Sequence, residues 1–140
     1  MNRGDVVLVD WLFSDRTGSK LRPAVVVQAD FLNGLIDDTV LVQITTTAHA
    51  IPGTEVRLDP AQETASGLMH VSFASCMNIL TADPDTIDQT IGYLSDVAMQ
   101  QIEDCLKKCW SCRSAGTFPR CRRFAVWLRL CRCRKSVCWN

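Results

Sequence analysis

Acidic residues are missing from the last 35 positions of this 140-residue chain, and basic residues are scarce before them. All 15 acids lie in residues 1–105 with only five bases: Arg3, Arg16, Lys20, Arg22 and Arg57. The other ten bases follow, so a formal net charge of zero hides −10 joined to +10. That split excludes one evenly charged domain and points to an attached tail or two pieces of unrelated origin. Histidine is nearly absent. His49 and His70 have no carboxylate at the spacing that marks a zinc or acid–base site, and each reads as a surface or interface histidine. Glycine-rich phosphate loops, His/Cys clusters with metal spacing and a G-x-S-x-G elbow are all missing, which removes the commonest nucleotide, metal and serine-hydrolase signatures. No apolar run approaches the ~18 residues that span a bilayer. Asp5 and Asp10 also interrupt the N-terminal apolar stretch that a signal peptide would need. The expectation is a cytoplasmic protein with reduced thiols and no membrane contact.

What is present is ordinary for a globular domain: 47% hydrophobic and 21% charged residues, at a length suited to one core. Cysteine and tryptophan follow the charge split. Seven of eight cysteines and three of four tryptophans fall in the last 36 residues, leaving Cys76 alone inside the body. A secreted disulfide framework would spread its cysteines through the domain.

The body reads as strands. Residues 6–13 are β-branched and aromatic, broken only by Asp10, and end in the polar, glycine-containing segment 14–19. Pro23 opens a second strand over 23–28, where its missing N–H does least harm. Residues 39–45 form a third strand, and residues 55–59 alternate strictly as a fourth. Two short apolar segments, 71–73 and 76–80, complete six strands and suggest a small, strongly bent sheet or barrel. Ser95 then caps a helix whose apolar face is Ala98, Ile102, Cys105, Leu106 and Cys109.

Little in the body can do chemistry. Asp37-Asp38 and Asp83-Pro84-Asp85 sit in turn-like segments as solvated loop charge. Arg22 stands apart: it is one of few cations, placed where a polar loop enters a buried strand. There it is either an ion-pair partner or an anion clamp whose forked donors suit phosphate. Thr45-Thr46-Thr47 places three hydroxyls at the exit of an apolar strand, which β-propensity and a turn also explain.

These residues carry a resemblance. Arg3-Gly4-Asp5-Val6, then Gly18-Ser19-Lys20-Leu21-Arg22-Pro23-Ala24-Val25-Val26, then Ile44-Thr45-Thr46 are similar to the MazF/PemK family of toxin endoribonucleases. The likeness continues through Leu58, Ser66-Gly67-Leu68 and residues 72–81 and ends in the helix near Leu106. It implies a mainly β fold, an SH3-like barrel of about six strands with a terminal helix, usually dimeric. The implied function is the toxin of a type II toxin–antitoxin system, cutting single-stranded RNA without metal or other cofactor. The products would be a 2′,3′-cyclic phosphate and a 5′-hydroxyl. The family's catalytic arginine corresponds to Arg22 and its catalytic threonine to Thr45. The loop that helps cover the substrate corresponds to Gly18, Ser19 and Lys20, and Thr46 and Thr47 adjoin the site. Implied partners are RNA, a cognate antitoxin, operator DNA bound as the toxin–antitoxin complex, and a second copy of the chain. Two departures stand out: Lys20 where some members carry a loop glutamate, and Met77-Asn78 where Asp-Gln or Asp-Asn is frequent.

The resemblance divides the chain at residues 1–106, leaving a basic, Cys- and Trp-rich extension over 107–140. Three readings of that extension compete. Zinc could use Cys109, Cys112, Cys131 and Cys133, although a C-x-C second pair is poorly spaced. Ten cations and three tryptophans could instead form a nucleic-acid arm. An Arg-, Cys- and Trp-rich composition without acids or apolar period also suits a shifted reading frame in a G+C-rich gene, which would leave no stable fold. Two functions stand beside the nuclease: an antitoxin- and DNA-binding regulatory barrel with weak or lost activity, and a purely structural SH3-like domain that would not need Arg22 beside hydroxyls.

Overall fold

The computed structural model describes residues 1–12, 15 and 17–111. Six strands form one sheet: β1 (Asp5–Leu12), β2 (Ser19–Val26), β3 (Thr39–Thr45), β4 (Glu55–Leu58), β5 (Ser72–Ala82) and β6 (Ile87–Tyr93). Their spatial order is β4-β5-β3-β2-β1-β6, and every neighbouring pair is antiparallel. A one-turn helix α1 (Asp30–Asn33) links β2 to β3, and α2 (Asp96–Trp110) follows β6. The fold is mainly β with a terminal helix, as the sequence pattern predicts.

Alternation along the strands produces two cores on opposite faces. Val6, Val25, Val42, Ile44, Val56, Leu58 and Ala74 meet Ala98, Met99, Ile102 and Cys105 of α2 on one face. Their neighbours Val7, Val9, Ala24, Val26 and Leu41 form the second core, with Ala82, Trp11, Leu80 and Ile87 packed against it. Near-continuous apolar runs in β1, β2 and β3 reflect burial on both faces. Ile102 is fully buried, and burial of such a side chain contributes about 1.5–3 kcal/mol.

Two predicted strands are one. Residues 71–73 and 76–80 belong to β5, whose register against β3 jumps from Val42↔Ile79 to Gln43↔Ser75. The extra residues form an irregularity that bends the strand, as bulges do. The sixth strand, β6, lies at Ile87–Tyr93, beyond the region the apolar pattern marks. No residue of β6 is fully buried, so it lacks an apolar signature. The strand is held by its ladder to β1. The edge strands β4 and β6 are bridged by residues 59–67: the Tyr93 N–H donates to the Ala65 carbonyl at 2.9 Å.

Ser95 caps α2 as expected. Its hydroxyl accepts from the Ala98 N–H at 3.2 Å and donates to Glu63 Oε1 at 2.7 Å, while its own N–H donates to Glu63 Oε2 at 2.8 Å. Arg3 ties the other side, donating to the Val27 carbonyl and pairing with Glu103 of α2 at 2.6 Å. The helix continues unbroken past residue 107 to Trp110, whose indole N–H donates to the Cys76 carbonyl at 2.9 Å. The remainder of the basic extension lies outside the described residues. Replacing Ser95 with alanine removes a cap and one Glu63 contact together. A loss of about 1–2 kcal/mol is expected, measurable as a lower denaturation midpoint with unchanged slope.

Candidate active site

Antiparallel pairing of β2 with β3 sets Arg22 and Thr45, 23 positions apart in sequence, each two residues beyond the last paired position of its strand. The β2–β3 ladder pairs Val26 with Leu41, Val25 with Val42 and Ala24 with Gln43. Continued outward by two residues, that register sets Arg22 across from Thr45. The ladder itself stops two steps short, at Ala24 and Gln43, because Pro23 has no N–H to donate. Arg22 and Thr45 therefore flank the place where β2 and β3 cease to pair, Arg22 still paired with Val9 on its other side. Alternation places both on the face of the second core, with Ala24, Val26 and Leu41.

Both side chains are half-buried. Arg22 lies opposite Val9, and its Nε is buried without a hydrogen-bond partner among the described residues. A guanidinium has five N–H donors and no acceptor, so a buried unpaired donor here is costly unless a ligand supplies oxygen. The Thr45 hydroxyl accepts from the Thr47 N–H at 3.2 Å, leaving its proton for another acceptor.

The other expected residues surround this place unevenly. Ser19 and Lys20 open β2, and Lys20 lies opposite Trp11, two residues outward from Arg22 and so on the same face. The Ser19 hydroxyl is engaged with Asp10 at 2.7 Å. Gly18 precedes them; three residues of the loop before it are outside the described set. Asp15 is held below the usual carboxylate range by the Thr17 N–H and hydroxyl, at 3.0 and 2.8 Å. Thr46 and Thr47 are exposed just beyond Thr45. His49 and His70 are exposed in separate loops, the His49 ring 3.7 Å from Glu55.

Neighbouring registers extend this face with residues that composition did not single out. Thr45 pairs with Phe73, and Phe73 pairs with Arg57 on β4. One step inward, Gln43 pairs with Ser75, and the Asn78 amide bridges Gln43 Oε1 at 3.1 Å and Ser75 Oγ at 3.2 Å. Arg57 was visible as one of five body cations; nothing in sequence placed it in the same cross-strand row as Thr45.

The described cysteines lie on the opposite face. Cys76, Cys105 and Cys109 are free thiols between β5 and α2, with Cys105 Sγ 3.2 Å from the Gly53 carbonyl. Burial and the neighbouring thiols push Cys109 up to about 11 and Cys76 higher still, so both remain protonated at neutral pH. Of the four cysteines in the zinc reading, Cys112, Cys131 and Cys133 lie outside the described residues.

Comparison with solved structures gives the same fold. A mycobacterial endoribonuclease in complex with its cognate antitoxin is 24% identical, covering 85% of this chain and 99% of its own, with a TM-score of 0.66. The Mycobacterium tuberculosis toxin MazF-mt6 is 22% identical over 74% of this chain and 94% of its own, at a TM-score of 0.58. A MazE–MazF structure from Deinococcus radiodurans is 18% identical over 77% and 94%, at 0.60. No curated protein matches. The model of the family described as PemK-like, MazF-like toxin of type II toxin–antitoxin system matches residues 2–109, so the chain belongs to that family.

Proposed function

We propose that the protein is an endoribonuclease toxin that cleaves single-stranded RNA by internal transesterification, with Arg22 and Thr45 as its catalytic pair. The observation that carries this is the half-buried guanidinium of Arg22, whose Nε has no hydrogen-bond partner among the described residues, on a strand whose continued register faces the Thr45 hydroxyl. In this reaction the ribose 2′-oxygen attacks the adjacent phosphorus and loses its proton. The 5′-oxygen leaves and gains one, giving a 2′,3′-cyclic phosphate and a 5′-hydroxyl. No water is consumed, and no step requires a metal or other cofactor.

Arg22 suits the equatorial oxygens, where charge grows in the transition state. Its Nε is already desolvated and the guanidinium is anchored on a paired strand, so little reorganisation is needed there. An arginine does not surrender a proton at neutral pH, which restricts it to electrostatic stabilisation. Thr45 fixes a phosphate oxygen or relays a proton through its hydroxyl. Gly18, Ser19 and Lys20 border the substrate on the β2 side, with Thr46 and Thr47 on the β3 side. Lys20 adds a second cation in a body where positive charge is scarce. In this reading the toxin acts in the cytoplasm as a homodimer. It is neutralised by a cognate antitoxin and joins it on operator DNA. Residues 1–106 carry the activity, and the basic extension is no part of the nuclease.

Incubating the full chain with a defined single-stranded RNA in EDTA tests the proposal directly. Fragments ending in a 2′,3′-cyclic phosphate and beginning with a 5′-hydroxyl are expected. Intact RNA, or 3′-hydroxyl ends, would exclude this chemistry.

A further inference from the structure

The row of residues that contains the catalytic pair runs on into a cavity no catalytic step uses. Across the second face, paired positions read Val9, Arg22, Thr45, Phe73 and Arg57 from β1 to β4, the Arg22–Thr45 step being the continued register. Beside Phe73 and Arg57 lies an open cavity of about 320 Å³, walled by Ile51, Pro52 and Glu55. A volume near 300 Å³ is the lower end of small-ligand sites and ample for one planar ring system.

The cavity wall is built. Glu55 accepts the N–H groups of His49 and Ala50 at 2.9 and 3.1 Å, which anchors residues 49–53 over the cavity. Ala50 is held there at φ +57°, a conformation that costs a non-glycine residue about 1–3 kcal/mol and persists only where surroundings enforce it. Chemistry varies across the cavity. Phe73 offers an aromatic face, Ile51 and Pro52 apolar walls, and the Glu55 carboxylate repels phosphate from the interior. At the far rim the Arg57 guanidinium is exposed. Its contact with Asp59, at 2.9 Å, is a surface pair of the kind that yields readily to a better anion.

We propose that this cavity is a nucleobase subsite: the base next to the scissile phosphate stacks on Phe73, and Arg57 takes a phosphate further along the strand. The spacing agrees. Strands in a sheet are about 4.8 Å apart, so Phe73 lies one strand from Thr45 and Arg57 about 10 Å away, the reach of a dinucleotide. Stacking tolerates any base, while Ile51, Pro52 and Glu55 bias its shape and edge. The subsite rests on the nuclease reading of Arg22 and Thr45 and adds to it where the flanking nucleotide is held.

A non-cleavable, 2′-O-methyl single-stranded hexamer of mixed sequence, with 2-aminopurine placed at each position in turn, separates binding from cleavage. With the full chain, fluorescence should be quenched strongly at one position. Phe73→Tyr should retain that quenching, and Phe73→Leu should lose it and weaken binding about 5- to 150-fold. Arg57→Gln should reduce the slope of log affinity against log salt by about 0.7, the loss of one phosphate contact on a single strand. If Arg22→Ala weakens binding while the Phe73 and Arg57 variants behave as the unaltered protein, the subsite is wrong and the nuclease reading survives. If those variants change only the sedimenting mass, the cavity is a contact between copies and the subsite is again wrong. Failure of the unaltered protein to bind RNA overturns both.

Discussion

Replacing Arg22 with alanine is expected to slow cleavage of single-stranded RNA about 10²- to 10³-fold while leaving the fold intact. The magnitude follows from removing one preorganised donor aimed at developing charge, which in other enzymes costs that much in turnover. The structural side of the expectation is just as specific. In the free protein the Arg22 Nε is buried without a hydrogen-bond partner among the described residues. A donor in that state opposes folding, since it has left water without compensation. Its removal should therefore leave the denaturation midpoint unchanged or raise it. Single-turnover rates with melting curves distinguish this from a structural role, in which activity and stability would fall together. Arg22→Lys should lie between, because charge survives but the two-pronged geometry does not. Unaltered cleavage by Arg22→Ala would end the assignment.

The low basic content of the body sharpens this expectation. With five bases against fifteen acids before residue 106, the body's long-range field repels RNA. Attraction must then come from a few cations on one face, and the registers gather three of them: Lys20, Arg22 and Arg57. Carboxylates elsewhere are partly neutralised by local contacts, as Glu63 is at the start of α2 and Glu103 by Arg3.

What could be read from sequence follows from which interactions are local. Strands β1 to β4 announce themselves through β-branched runs, and α2 through its cap and period, because each signal is a property of neighbouring residues. Met99 escaped the helical face because it sits at that face's edge, yet it is buried against the sheet. Strand β6 escaped because Asp88-Gln89-Thr90 is polar and exposed, and only its ladder to β1 makes it a strand. Helix α1 escaped because one turn has no period to detect. The same distinction governs the site. Arg22 stood out by its place at a strand entrance, and Thr45 by its neighbours and the family pattern. Phe73 and Arg57 could not, since their place in the row that starts from Thr45 depends on the β3–β5 and β4–β5 registers together. A shift of one residue in either would send them to the helix-covered face.

The join between β6 and the rest of the sheet should be the most sensitive point for stability, and Gly67→Ala and Gly92→Ala are expected to show it. The two glycines allow backbone to lie directly against backbone. A methyl group on Gly67 would lie 2.2 Å from the Ile91 carbonyl oxygen, and one on Gly92 would lie 2.2 Å from that of Ala65. Neither obstacle is a side chain that could swing aside. Gly67 also has φ +70°, which alanine adopts only under strain of about 1–2 kcal/mol. Separating the segments stretches the Tyr93–Ala65 hydrogen bond, worth about 1 kcal/mol, and disturbs the Glu63 contacts that seat the start of α2. Adding the usual penalty of about 1–3 kcal/mol for overpacking gives a loss of roughly 3–6 kcal/mol for Gly67→Ala. In a domain of this size, that lowers the melting midpoint by well over about 10 °C. Gly92→Ala should be milder, because its φ lies outside the left-handed region and only the collision remains. Gly34→Ala is the control: nothing lies within 4 Å of its added methyl, and the backbone is at φ −98°, so a change within about 0.5 kcal/mol is expected. Denaturant midpoints for the three variants should follow that order. Equal midpoints would mean that residues 65–67 do not press against β6, and that α2 is seated by its apolar face alone.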